Sequence, residues 1–161
     1  MRVASLLVLL TLAGCDTFGL EVVPEQDASL EAWDEMLDAV NAARAGGGMC
    51  GTERFAPSRP LIWDVRLERA AMRHSRDMAR HGFFGHVGSD GQGVGARVLE
   101  AGYRWRVVAE NIAWRHETVA EVMADWLESP GHCRQMLNPG LREMGAGQAR
   151  GYWTQVFAVP R

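Results

Sequence analysis

Three titratable residues in unlike local settings carry the chemistry open to this chain. They are His86 in Phe83-Phe84-Gly85-His86, Glu110 in Ala109-Glu110-Asn111-Ile112-Ala113, and His132 in Ser129-Pro130-Gly131-His132-Cys133. Each is flanked by apolar or turn residues, which suits a polar site set into an apolar wall. Two neutral imidazoles and a carboxylate can ligate a divalent ion such as Zn2+ or pass protons. With a water in the open position, such a set lowers the water's pKa to about 7 and supports hydrolysis. No His-Glu-x-x-His helix is present to make the metal reading specific. Taken singly, a histidine near a turn reads as a capping or exposed group, and a strand glutamate as solvated or paired with arginine. His74 falls on an apolar helical stripe and reads as packed and hydrogen-bonded, while His81 and His116 read as surface residues. Ser129, just before Pro130-Gly131, reads as a cap or turn residue, with no ordered third group to complete a triad.

The elements that must hold these residues follow from hydrophobic periodicity. Ser29 can cap a helix whose apolar positions Trp33, Met36, Leu37 and Val40 recur at helical spacing, ended by Gly46-Gly47-Gly48. Asp64 opens a second helix with Leu67, Ala71, His74 and Met78 on one stripe and Gly82 after it. Residues 94–101 form a short third helix stopped by Gly102. Thr118-Val119-Ala120-Glu121 is a capping box opening a fourth, with Val119, Val122, Met123, Trp126 and Leu127 as core and Ser129-Pro130-Gly131 as its end. Val107 to Trp114 alternates as a strand, placing Val108, Glu110, Ile112 and Trp114 on one face. Residues 142–149 and 152–158 flank Arg150-Gly151 as a hairpin, with Trp153, Gln155 and Phe157 on one side. Helices first and strands later make a layered α+β domain. Trp33, Trp63, Trp126 and Trp153 are expected in the core. Trp105 or Trp114 is free to line a cleft mouth, and Asn41 and Arg44 are expected to tie the first helix to the sheet.

The N-terminus is Met1-Arg2, an apolar run Val3 to Leu12, then Ala13-Gly14-Cys15. A basic start and about ten apolar residues before small ones describe a secretory signal, since a spanning helix needs roughly 20. Leu12-Ala13-Gly14-Cys15 is similar to a bacterial lipobox, whose cysteine is acylated and becomes the first residue. The alternative is an ordinary signal cleaved nearby, with Cys15 incidental. The expected division is a signal peptide at 1–14, lipidated Cys15 and a flexible tether at 15–28, and one domain at 29–161. The acyl chains would hold the exported protein to a membrane of the bacterial cell envelope, each buried methylene contributing about 0.8 kcal/mol. A net charge of −3 without a Lys/Arg run argues against a nucleic-acid partner. The length suits one ordinary domain, expected to be a monomer. With Cys15 lipidated, Cys50 and Cys133 remain as an even pair in an oxidising compartment. That favours a disulfide over two free thiols, and loop entropy values it at about 4 kcal/mol.

Several segments occur in a telling order: Val40-Asn41-Ala42-Ala43-Arg44, Leu61-Ile62-Trp63-Asp64, His74-Ser75-Arg76-Asp77-Met78-Ala79 and Phe84-Gly85-His86. They continue with Ala101-Gly102-Tyr103, Glu110-Asn111-Ile112-Ala113, Trp126-Leu127-Glu128-Ser129-Pro130-Gly131-His132, Met144-Gly145-Ala146-Gly147 and Tyr152-Trp153-Thr154-Gln155-Val156-Phe157. Across residues 33–158 the chain resembles the bacterial branch of the CAP superfamily (cysteine-rich secretory proteins, antigen 5 and pathogenesis-related proteins; the SCP domain). The resemblance implies a three-layer α-β-α sandwich with a central, largely antiparallel sheet and a cleft over it. In many members that cleft holds two histidines and two acids, and some bind zinc or another divalent ion there. By motif, His86 and His132 take the histidine places. Glu110 takes the acid of the Gly-Glu-Asn motif, with Ala109 where glycine is usual. The second acid's place is Ser129. Neighbouring Glu128 would point about 100° away on a helix, so one negative charge is lost and the expected cation affinity falls. The resemblance implies a ligand- or ion-binding envelope module. The alternative is a metal-assisted hydrolase of peptide or cell-envelope substrates. Sterol or lipid binding, known in some members, has no recognisable counterpart region here. Membership of a fold does not decide among these.

Overall fold

A computed structural model describes the backbone of residues 25–161 and side chains from Ala32 onward. The expected signal peptide, Cys15 and the tether through residue 24 lie outside the described residues. The first helix, α1 (Glu25–Gly46), starts ahead of Ser29, which therefore lies inside it rather than at its cap. It takes in residues 25–28, expected in the tether. Trp33, Met36 and Val40 are buried along one face, as their spacing requires. After α1 come β1 (Gly48–Cys50), β2 (Glu53–Phe55), β3 (Ile62–Trp63), α2 (Val65–His81) and α3 (Val94–Glu100). They are followed by β4 (Trp105–Trp114), α4 (Val119–Glu128), α5 (Pro130–Leu137), β5 (Glu143–Ala149) and β6 (Tyr152–Pro160).

Local chemistry sets the ends of α2. The Asp64 carboxylate accepts from the Arg66 and Leu67 N–H groups, and Gly82, left-handed at φ 66°, donates its N–H to the Met78 carbonyl. The capping box at Thr118 and Glu121 forms in full. Pro130 does more than end α4: it occupies the first turn of α5, where its missing N–H costs nothing. This helix was not expected, so His132 lies on a helix rather than in a loop. The small β1–β2 ribbon was not expected either.

β3, β5, β6 and β4 form one sheet in that order, antiparallel except for the β3–β5 pair. One face packs against α1, α4 and α5 through Met36, Val40, Val122, Trp126, Met136, Trp153 and Phe157. The other packs against α2 and α3 through Leu67, Ala70, Ala71 and Val98, with Val156 and Ala158 from β6. This is the three-layer α-β-α sandwich. Each fully buried large side chain contributes about 1.5–3 kcal/mol. α2 reaches the sheet because β5 carries glycine at two positions. A Cβ at Gly145 would lie 2.1 Å from the Glu68 nitrogen, and one at Gly147 would lie 2.3 Å from that of Met72.

Three packing expectations need correction. Leu127 is exposed, because it falls outside the stripe that α4 turns inward. Asn41 does bond both backbone groups of Leu61, beside β3. Arg44 instead reaches the carbonyls of Arg59, Met136 and Asn138, closing the end of α5 rather than touching the sheet. His116 is half-buried, and its carbonyl accepts from the Trp153 indole.

Candidate functional site

Glu110 projects from β4 toward the α2/α3 layer and is the hub of the site. Its side chain is only 2% exposed. Arg97 of α3, 3% exposed, donates to Glu110 Oε2 at 2.5 Å. His86 places Nδ1 2.9 Å from Oε1, so that nitrogen donates and Nε2 is left free. The His86 side chain is 57% exposed. His74 of α2 is fully buried, with Nε2 3.9 Å from Oε1. Burying this many charged groups is costly unless they compensate one another, and here they do.

The same groups hold the loop that presents His86. His74 Nε2 donates to the Gly85 carbonyl at 2.8 Å, and Arg97 donates to the carbonyls of His86 and Gln92. Asp77 accepts from the Ser89 N–H and hydroxyl. Burial pushes His74's pKa down, more than the nearby Glu110 carboxylate lifts it. The ring is therefore neutral with its proton on Nε2. The reading of His74 as a packed, bonded residue holds, and its bond goes to the backbone next to the candidate histidine.

His132 lies in the first turn of α5, in the opposite layer. β4 is the edge strand, so groups from the two helical layers can approach around it. Asn111, the neighbour of Glu110, faces the other way and donates to the His132 carbonyl at 3.2 Å. The adjacent Cys133 is bridged to Cys50, fixing α5 to the β1–β2 ribbon. Burial pushes the His132 pKa down; Asp125 opposes this and His86 adds to it. Nδ1 of His132 is buried without a hydrogen-bond partner among the described residues.

Glu110 fits poorly as a metal ligand, because Arg97 and His86 already occupy its two oxygens. Among the described residues, no three His, Cys, Asp or Glu side chains are grouped closely enough to hold an ion. Of the three-ligand centre expected of His86, Glu110 and His132, with its open water position, the carboxylate is engaged by Arg97 and His86. Two imidazoles remain as donors, with Glu110 orienting one of them. Ser129 joins α4 to α5 and makes no side-chain capping bond, and Glu128 is exposed. Sequence reasoning missed Arg97 as a site residue. The general tendency of a strand glutamate to pair with arginine was the one available signal.

The fold and these motifs define a family. A family model described as "Cysteine-rich secretory protein family" (CAP) matches residues 37–159, and the chain belongs to that family. It is 28% identical over 145 residues to "Uncharacterized membrane protein YlbC" of Bacillus subtilis, covering 85% of this chain and 39% of the relative. It is 28% identical over 133 residues to "Uncharacterized protein YkwD" of the same organism, covering 81% and 48%. The chain thus spans less than half the length of these curated relatives. Among solved structures, an extracellular SCP-domain protein from Bacillus anthracis aligns with a TM-score of 0.72 at 25% identity, covering 80% of this chain and 40% of that one. An outer surface protein from Borrelia burgdorferi aligns at 0.62 with 15% identity, covering 85% and 95%, a likeness of fold alone.

Proposed function

We propose that this chain is an exported CAP-domain module, held to the bacterial envelope by lipid on Cys15, whose His86 and His132 bind a small ligand or divalent cation. One observation carries the reading: a buried carboxylate, itself locked by Arg97, orients an exposed imidazole and leaves its Nε2 free. The family match and the membrane and extracellular names of the relatives support the export assignment. No helix among the described residues is long and apolar enough to cross a membrane. When bound, a cation such as Zn2+ would be held by the two imidazoles, and Glu110 would keep His86 in the binding tautomer.

Calorimetric titration of the purified full chain with ZnCl2 at neutral pH tests this. Binding near one ion per chain is expected, lost in His86→Ala and in His132→Ala. Affinity should fall as the pH is lowered, because a protonated imidazole cannot ligate. Zinc uptake that survives both substitutions would refute the site. Mass spectrometry of the exported protein, finding Cys15 unacylated, would refute the anchor independently.

A further inference from the structure

The chain has 17 arginines and no lysine, and the fold sorts the arginines among the described residues by what they face. Arg44 and Arg97 are buried with partners. Arg73 pairs with Asp90 and Glu100 on the surface. Arg76 and Arg80 differ. They lie one turn apart on the outer side of α2 and, with Arg150 from the β5–β6 turn, line a cavity of about 270 Å3 whose remaining walls are Ala79 and Ala149. No carboxylate lines it. None of the three arginines is in an ion pair among the described residues. A neighbouring hollow of about 340 Å3 shares Arg76 and Arg80 but also contains Asp77 and Asp90. Carboxylates face this arginine pair on one side, and none lines the cavity on the other.

The Arg150 backbone supplies a second, separate observation. It has φ 51° and is followed by Gly151 at φ 78°. Two consecutive positive φ angles make the tight hairpin turn that favours Asn, Asp or Gly at its first position. A longer side chain in that conformation costs about 1–2 kcal/mol. The turn nevertheless carries an arginine, and it faces two more arginines that repel it.

We propose that Arg76, Arg80 and Arg150 form a binding site for a phosphate group, carried either by a lipid headgroup or by a soluble phosphate ester. Guanidinium forks match phosphate oxygens in geometry and charge, and three forks can engage one tetrahedral group from several sides. The two alanines leave room for it between them. A bound anion would also relieve the mutual repulsion. The site shares no residue with His86, Glu110 and His132, so it stands or falls independently of the cation site.

The test uses the full chain in neutral detergent micelles, titrated by calorimetry at low salt. One arm adds sodium pyrophosphate or glycerol phosphate, and the other adds phosphatidylglycerol to the micelles. Saturable binding is expected in at least one arm: soluble esters alone identify a free phosphate, phosphatidylglycerol alone a headgroup. Arg76→Ala and Arg80→Ala should each weaken binding about tenfold or more. Arg150→Asn should weaken it equally while raising the thermal midpoint, which no loss of folding could imitate. Arg54→Ala, on the β1–β2 ribbon, should leave it unchanged. Absence of saturable binding in both arms overturns the proposal. So does a loss in Arg54→Ala as large as that in Arg80→Ala.

Discussion

Helix α2 borders two charged regions that obey opposite rules. On its inner side His74 and the adjoining Arg97, Glu110 and His86 are tied to one another or to backbone carbonyls. On its outer side Arg76 and Arg80 face Arg150 with no counter-charge lining their cavity. Desolvation explains the contrast. A buried charge without a partner would cost several kcal/mol, so the inner cluster survives only as a compensated set. Water screens the outer arginines, so like charges can be left together at small cost. The inner network is thus a scaffold whose exposed product is one free imidazole nitrogen. The outer group is a surface whose charge is available to something else.

The sharpest way to break this comparison is to delete one arginine from each side. Arg97→Ala leaves the Glu110 carboxylate buried without its arginine counter-charge, and should destabilise the fold by about 3–5 kcal/mol in urea titration. Arg80→Ala should change stability by no more than about 0.5 kcal/mol. Equal losses would show that the inner network is not held by charge compensation. Pairing Arg97→Met with Glu110→Leu should recover much of the loss, because both charges then leave together.

Acid acts next, through two buried rings, one in each helical layer. His74 and His132 both have pKa values held below the usual 6.5 by burial. Below 6.5 the unfolded chain takes up protons that the folded chain refuses, so folding is penalised. The stability of these neutral rings is fully present above about pH 6.5 and declines as pH falls toward their lowered folded values. Thermal midpoints measured from pH 7.5 to 5 should fall, and His74→Gln should flatten part of the slope. A level profile in the unmodified protein would contradict the burial of these two rings.

Much of the scaffold was legible because its signals are local. The Asp64 cap, the Thr118 box, Gly82 and the Arg150-Gly151 turn each depend on residues adjacent in the chain, and each forms as read. α5 was hidden because Ser129-Pro130-Gly131 reads equally well as a stop and as a start. Proline ends the preceding helix by the same geometry that opens the next. The inner network was hidden for a different reason. Nothing in the neighbourhood of Arg97 announces burial, and its partners at Glu110, His86 and Gln92 become neighbours only when α3 packs beside β4. The arginine cavity is equally non-local. No basic run exists in the sequence, but helical spacing and a hairpin from the far end of the chain bring three guanidinium groups together.

A smaller effect has the opposite sign. Arg150→Asn places a side chain suited to positive φ in the turn and removes one of three like charges, so it should stabilise the fold by about 1 kcal/mol. Differential scanning calorimetry would read this as a higher midpoint. A lower one would mean that Arg150 makes a stabilising contact.

A small change in stability is also expected at His86, where the comparison becomes most informative. Its ring is largely outside the interior, and Glu110 would keep Arg97 on Oε2 after His86→Ala. Removing the ring would also open Oε1 to water, so the carboxylate would not be left both buried and unpaired. The cost should therefore stay below about 1 kcal/mol, well under that of Arg97→Ala, although both residues bond the same carboxylate. Denaturant titration of the two variants side by side measures the difference. If His86→Ala unfolds the protein as readily as Arg97→Ala does, His86 belongs to the scaffold rather than to the surface it presents, and its free nitrogen loses its claim to a ligand.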